Sequence, residues 1–107
     1  MTRDDAKVNV TVVDVPGANR YEARSDGGLA GFAVYMRTPE LDVFVHTEVE
    51  DAYKGHGVGS ALARAALDAA RAAGRRVLAV CPFIDGWIAR HPEYEDLRYT
   101  PASKVTD

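Results

Sequence analysis

One stretch of the chain, from Asp51 to Ser60, combines residue types that can bind an anion. It holds glycines at positions 55, 57 and 59, between a strand-forming run and an alanine-rich run. The first backbone N–H groups of a helix have no partner within it, and the aligned peptide dipoles add roughly half a positive charge there. Glycine also lets a ligand approach the backbone closely. The stretch therefore predicts a cradle for a phosphate group.

The flanking residues define the elements that must position this cradle. Leu41–Val49 is rich in β-branched residues and predicts a strand, and apolar residues recur at helical spacing over residues 57–73. Two well-known phosphate loops do not fit, because a Lys-Ser/Thr pair is missing after the last glycine and the G-x-G-x-x-G spacing is absent. A phosphate ligand of another kind is expected.

Motifs in and around this loop resemble those of the GNAT superfamily of N-acetyltransferases. Lys54-x-x-Gly57-x-Gly59 matches its pyrophosphate loop, and three further segments resemble its short, single-domain branch: His46–Val49, Cys81–Ile84 and His91–Tyr94. The resemblance covers about residues 29–99 and implies acetyl-CoA as cofactor, with its pantetheine arm between splayed fourth and fifth strands. The residues it implies for binding the pyrophosphate are Lys54, Gly55, His56, Gly57, Val58, Gly59 and Ser60.

Transfer of an acetyl group from a thioester to an amine needs proton acceptance, oxyanion stabilisation and a proton for the thiolate. Glu48 and His46 lie two positions apart on the predicted strand, so they share a face and could take a proton from the amine. A solvated surface pair is the alternative. The resemblance implies a backbone N–H near Val49 as the oxyanion donor and Tyr94 as the general acid, although a terminal tyrosine is more often a packing residue.

Cys81 ends an apolar strand and precedes a short helix. A lone cysteine there is ordinarily a small buried hydrophobe, but the start of a helix also favours a thiolate. The resemblance places it near the acetyl thioester. Lining of the pocket is the preferred interpretation and a covalent acetyl-cysteine route is the alternative, since no third group orients a Cys/His pair.

The remaining pattern predicts an α/β (α+β) fold with a mixed, mostly antiparallel twisted sheet of about five strands, and the resemblance implies that this is a minimal GNAT-like fold. A long helix follows the pyrophosphate loop and ends at Gly74, and a short C-terminal helix follows the fifth strand. The other expected strands and the short helix are Val8–Val12, Arg20–Arg24, Leu29–Met36, Arg76–Cys81 and Phe83–Arg90. The order of strand, helix and strand implies a right-handed crossover connection, so the fourth and fifth strands are expected to be parallel.

The composition of the chain limits the classes of protein to which it can belong. The 107 residues fit one domain, 1–107, whose ends at 1–6 and 100–107 are expected to fray. A net charge of −3 argues against a general nucleic-acid binder. The chain has one cysteine, which excludes an internal disulfide. Its three histidines are too scattered in the sequence to predict a metal site. No apolar run is long enough for a membrane span. A cytoplasmic protein, monomeric or homodimeric, is expected.

These observations favour an N-acetyltransferase whose partners are a coenzyme A derivative and an amine acceptor, either a small molecule or a protein. Only about residues 14–19 separate the first two expected strands, whereas larger superfamily members place an acceptor-binding helix pair there. A module that binds coenzyme A without transferring the acetyl group is therefore the main rival. A structural protein with an incidental glycine turn is a further alternative.

Overall fold

The computed structural model describes residues 9–100. Its sheet contains five strands in chain order, of which the first four are antiparallel and the last two parallel, so the predicted fold class is confirmed. The elements are β1 (Thr11–Val15), β2 (Arg20–Ser25), β3 (Gly28–Arg37), β4 (Leu41–Val49), α1 (Val58–Ala73), β5 (Arg76–Ala79) and α2 (Pro82–Arg90). Short 3-10 segments occupy Pro16–Ala18, Asp51–Tyr53 and Pro92–Leu97.

Two strand predictions were wrong at their ends. The first strand is not Val8–Val12: it runs on to Val15, where a proline follows, and Val8 lies outside the described residues. The fifth strand stops at Ala79 rather than Cys81, because the N–H groups of both Val80 and Cys81 donate to the one carbonyl of Phe44. The residues expected to fray also lie outside the described range, except Thr100, which belongs to no element.

Both helices of residues 9–100 pack on one face of the sheet and enclose the core there. The core face of α1 consists largely of small side chains, including the fully buried Ala63, Ala66 and Ala70, so the helix lies close to the strands. Tyr21, Tyr35 and Phe44 pack against one another beneath it. A left-handed glycine, Gly74, ends α1 as predicted, and its N–H donates to the carbonyls of Ala70 and Arg71.

A bulge interrupts β4 where it passes β3. The register changes from Phe44 opposite Tyr35 to His46 opposite Val34, so Val45 is an extra residue. Beyond the bulge Thr47 pairs with the buried Ala33 and lies on the core face. Side chains alternate along a strand, so His46 and Glu48 lie on the opposite face.

A buried ionic cluster closes the other end of the sheet. The carboxylate of Asp42, which is 0% exposed, accepts hydrogen bonds from Nε of Arg37 at 2.7 Å and from Nε of Arg75 at 2.9 Å. Arg37 also donates to Asp14 at 2.9 Å. The cluster thus joins β1, β3 and β4 to the connection between α1 and β5.

Glu22 on β2 forms a second cluster, with Arg24 at 2.6 Å and Arg20 at 2.8 Å. Hydrogen bonds from Arg24 and then Arg20 hold the pKa of Glu22 below its ordinary value of 4.5. A lowered folded-state pKa contributes stability above the unfolded value, which is lost as the pH falls through the folded value. We therefore expect urea unfolding to show wild type more stable than Glu22→Gln at neutral pH, with the difference shrinking as the pH falls below 4.5. A difference that stays constant with pH would contradict this.

Candidate functional site

The sheet splits between β4 and β5. Their parallel pairing ends at Phe44 opposite Ala79, but β4 continues to Val49, and no strand of residues 9–100 pairs with that edge of β4. The N–H of Glu50 points to β3, where it donates to the carbonyl of Ala30. Because backbone groups alternate along a strand, the N–H groups of Thr47 and Val49 point into the split. The split therefore offers backbone donors to a ligand.

The glycine loop ends beside this split. Gly57 caps α1 in the left-handed conformation, with φ of 83°. Because glycine has no side chain, it cannot accept a hydrogen bond from the first N–H groups of the helix. The first backbone hydrogen bond of the helix runs from the N–H of Ala61 to the carbonyl of Gly57. The N–H groups of Val58, Gly59 and Ser60 precede that bond and have no partner within the helix, as a phosphate cradle requires.

Two residues of the predicted cradle have other contacts. The backbone N–H of His56, which sequence reasoning assigned to the cradle, donates to the carbonyl of Tyr53 at 3.2 Å. The ammonium of Lys54 lies 3.2 Å from the carboxylate of Asp51, and both side chains are exposed. Anion binding would therefore depend mainly on the first N–H groups of α1, with Lys54 free to exchange Asp51 for a phosphate.

The start of α2 packs tightly against the start of α1. A Cβ atom added at Gly59 would lie 2.8 Å from Cζ of Phe83, so the ring of Phe83 would have to shift for any larger residue. The indole N–H of Trp87 donates to the hydroxyl of Ser60 at 2.9 Å. Sequence reasoning did not identify these two aromatic residues as supports of the loop.

An open depression of about 370 Å³ joins the end of β4 to the loop, with Thr47, Val49 and Lys54 among its lining residues. A second depression, of about 460 Å³, lies at the helix start and is lined in part by His56, Gly57, Ser60 and Arg64. Of these two depressions, the second is the one that contacts residues of the helix start itself.

Cys81 lies at the closed end of the split. It is buried, it caps α2, and its Sγ is 3.3 Å from the hydroxyl oxygen of Thr47. Thr47 was not identified from the sequence, because a strand threonine gives no chemical signal until the bulge is known. The pair brings a thiol and a hydroxyl together beside the unpaired edge of β4.

His46 and Glu48 lie on the opposite face of β4 from Thr47. Their Nε2 and Oε1 atoms are 3.2 Å apart, and both side chains are exposed. Tyr94 lies elsewhere: its hydroxyl donates to Asp68 at 2.7 Å and accepts from Arg64 at 3.3 Å, on the outer side of α1. Burial, followed by the hydrogen bond to Asp68, raises the pKa of Tyr94. Within residues 9–100 no hydrogen bond or ring contact joins Tyr94 to the other predicted catalytic residues.

A fold of this kind, with a split sheet beside a glycine-capped helix, has a counterpart among known families. The family model described as GCN5-related N-acetyl-transferase matches residues 20–97. The chain therefore belongs to this family of N-acetyltransferases, as its motifs had indicated. A comparison with curated proteins found no match.

Solved structures show the same fold. A GCN5-like protein from Staphylococcus aureus, solved in solution, is 18% identical with a TM-score of 0.61, and the match covers 94% of this chain and 99% of that one. A ribosomal-protein-alanine N-acetyltransferase from Brucella melitensis biovar Abortus 2308 is 21% identical with a TM-score of 0.55, covering 82% and 66%. Ard1 from Thermoplasma volcanium is 24% identical with a TM-score of 0.54, covering 72% and 54%. The match thus spans 54% of the length of Ard1 and about two thirds of the length of the Brucella protein.

No helix of residues 9–100 has the length and apolar character needed to cross a membrane. No group of three or more His, Cys, Asp or Glu side chains in the same range is arranged to hold a metal ion.

Proposed function

We propose that the protein transfers the acetyl group of acetyl-CoA to an amine, in the split between β4 and β5. The observation that supports this most directly is the unpaired edge of β4 ending beside a helix start whose N–H groups have no helical partners. A linear molecule with an anionic pyrophosphate at one end and an amide-containing arm at the other suits both features. Membership of the acetyltransferase family supports this interpretation.

Acetyl-CoA, when bound, supplies an acetyl group activated as a thioester. The helix-start N–H groups from Val58 to Ser60, with Lys54 nearby, would hold the pyrophosphate, and the inward-facing N–H groups of β4 would hold the arm. An N–H of β4 near Val49 would then stabilise the oxyanion formed when the amine nitrogen attacks the carbonyl carbon. As the C–N bond forms and the C–S bond breaks, one proton must leave the amine and one must reach the thiolate.

His46 and Glu48 are our candidates for accepting the amine proton. They are hydrogen-bonded to each other and exposed to solvent. They lie on the face of β4 opposite Thr47, where an acceptor could approach. Tyr94 remains a candidate for the general acid, and its raised pKa keeps its proton at neutral pH. That proton points to Asp68, so Tyr94 would need to change partners before it could protonate the thiolate.

Cys81 separates two chemical routes. In direct transfer its thiol lines the pocket beside Thr47; in the alternative, its thiolate attacks the thioester, coenzyme A leaves as the thiol, and the amine then attacks acetyl-Cys81. Calorimetry with acetyl-CoA, with intact mass recorded after mixing, tests the proposal. We expect micromolar binding, and no binding would remove the acetyltransferase interpretation.

The Cys81→Ala variant distinguishes the routes. Direct transfer predicts that it retains acetyl-CoA binding and most of its rate of coenzyme A release with an amine acceptor. A gain of one acetyl mass in wild type that is absent from Cys81→Ala, together with a lost rate, would support the covalent route instead. Once an acceptor is known, Glu48→Gln, His46→Gln and Tyr94→Phe, made singly, would assign the proton transfers.

A module that binds coenzyme A without transfer is the second candidate. The engagement of the Tyr94 hydroxyl by Asp68 and Arg64 favours it, because the predicted acid is thereby held away from the split. Tight acetyl-CoA binding without coenzyme A release, over a panel of small amines and basic peptides, would support this candidate.

A further inference from the structure

The single tryptophan of the chain joins the two helices at the start of α1. Trp87 on α2 is 2% exposed, and its indole N–H donates to the hydroxyl oxygen of Ser60 at 2.9 Å. An indole N–H is only a donor, whereas a serine hydroxyl can accept and donate at the same time. The hydrogen of the Ser60 hydroxyl must therefore point away from the indole, where it can be donated to another group.

The indole of Trp87 is restrained by residues on either side of it in the fold. The imidazole of His91 lies nearly parallel to the indole, with ring centroids 3.7 Å apart and an angle of 13° between the planes. Its Nδ1 donates to the backbone carbonyl of Trp87 at 2.7 Å. The guanidinium carbon of Arg64 lies 5.2 Å from the centre of the indole. These contacts set the direction of the indole N–H before a ligand binds.

Ser60 lies where the proposed function requires donors for an anion. Its backbone N–H precedes the first helical hydrogen bond of α1, which Ala61 donates to Gly57, and so has no partner within the helix. Ser60 also lines the depression of about 460 Å³ at the helix start, together with Gly57 and Arg64. A phosphate in this depression would have both a backbone and a side-chain donor of Ser60 within its surroundings.

We propose that Trp87 is a positioning residue for the cofactor: it binds the oxygen of Ser60 and so directs the hydroxyl hydrogen to a phosphate oxygen of coenzyme A. This inference rests on the proposed function, because it takes the pyrophosphate to lie at the start of α1. A hydroxyl that accepts one hydrogen bond is polarised by it and donates a second one more strongly. Without the indole, the hydroxyl could turn and donate to a carbonyl of the preceding turn, as helical serines do.

Calorimetry with acetyl-CoA and the full chain tests the proposal through wild type, Ser60→Ala, Trp87→Phe and the double variant. We expect Ser60→Ala to weaken binding about tenfold, through loss of a hydrogen bond to a charged group, and Trp87→Phe to weaken it about threefold to tenfold. Phenylalanine retains an aromatic ring but has no N–H. In the Ser60→Ala background, Trp87→Phe should cause no further loss, because no hydroxyl remains to be directed.

Ile84→Val is the matched control for the packing of α2. Ile84 is fully buried in the same helix, and it takes no part in the hydrogen bond between Trp87 and Ser60. Removal of one methyl group loosens the packing, so this variant should melt at a lower temperature but bind acetyl-CoA as tightly as wild type does. Thermal melting of every variant establishes that it is folded at the temperature of the titration.

The inference is overturned if Ser60→Ala or Trp87→Phe binds acetyl-CoA as tightly as wild type does. It is also overturned if Trp87→Phe loses as much affinity in the Ser60→Ala background as in wild type, or if Ile84→Val loses as much as Trp87→Phe. In each of these cases wild type still binds acetyl-CoA, so the proposed function stands. Failure of wild type itself to bind would overturn the proposed function and this inference together.

Discussion

Replacing Gly57 by valine is expected to weaken acetyl-CoA binding by about tenfold to a hundredfold, measured by calorimetry. A β-branched residue strongly disfavours the φ of 83° that Gly57 adopts, so the start of α1 must shift. A shift that removes one hydrogen bond from a backbone N–H to the charged pyrophosphate costs about 1.5–3 kcal/mol, which corresponds to that loss of affinity.

Gly74→Val is the matched control for this substitution. Gly74 caps the other end of the same helix with φ of 73°, and a Cβ atom there would meet nothing within 4 Å. Both variants should therefore lose about 1–2 kcal/mol of unfolding free energy from backbone strain, but only Gly57→Val should lose affinity. Equal affinities for the two variants would show that the helix start does not bind the cofactor.

Replacing Asp42 by alanine is expected to lower the free energy of unfolding by about 3–5 kcal/mol, measured by urea denaturation. The change removes the carboxylate that accepts from both Arg37 and Arg75, whose side chains are only 23% and 17% exposed. Loss of Asp42 leaves Arg75 without its carboxylate partner and leaves Arg37 with Asp14 alone. An uncompensated charge in a largely buried position is more costly than loss of the attraction alone.

Asp96→Ala supplies the comparison at the surface. Asp96 forms two hydrogen bonds with Arg71, at 2.8 and 3.0 Å, but both side chains are largely exposed. Solvent-exposed pairs contribute little to stability, so this variant should unfold almost as wild type does. If Asp42→Ala lost no more stability than Asp96→Ala, the buried cluster would not be a determinant of the fold.

The sequence predicted those parts of the structure that local physics determines. A run rich in β-branched residues indicated β4, the expected strands Arg20–Arg24 and Leu29–Met36 correspond to β2 and β3, helical spacing indicated α1, and Gly74 indicated its end, all of which the structure confirms. The position of β1 was wrong because valines at 8, 10, 12, 13 and 15 allow more than one strand, and only pairing with β2 selects Thr11–Val15.

The site was harder to predict because it depends on contacts between distant segments. The contact between Thr47 and Cys81 spans 34 residues, and the contact between Phe83 and Gly59 depends on how two helices pack. Tyr94 was selected by resemblance to a motif, which could not show that Asp68 and Arg64 hold its hydroxyl. The assigned catalytic roles stay predictions until the variants are measured.

Val45, the extra residue of the bulge, also changes which residues of β4 face the core. Even-numbered residues face the core before it, as Asp42 and Phe44 do, whereas odd-numbered residues face the core after it, as Thr47 does. Uninterrupted alternation from Phe44 would instead place His46 and Glu48 in the packed interior and turn Thr47 away from Cys81. The arrangement of the site therefore depends on an odd or even count along one strand, and an alignment misplaced by one residue here would assign each side chain to the wrong side of the sheet.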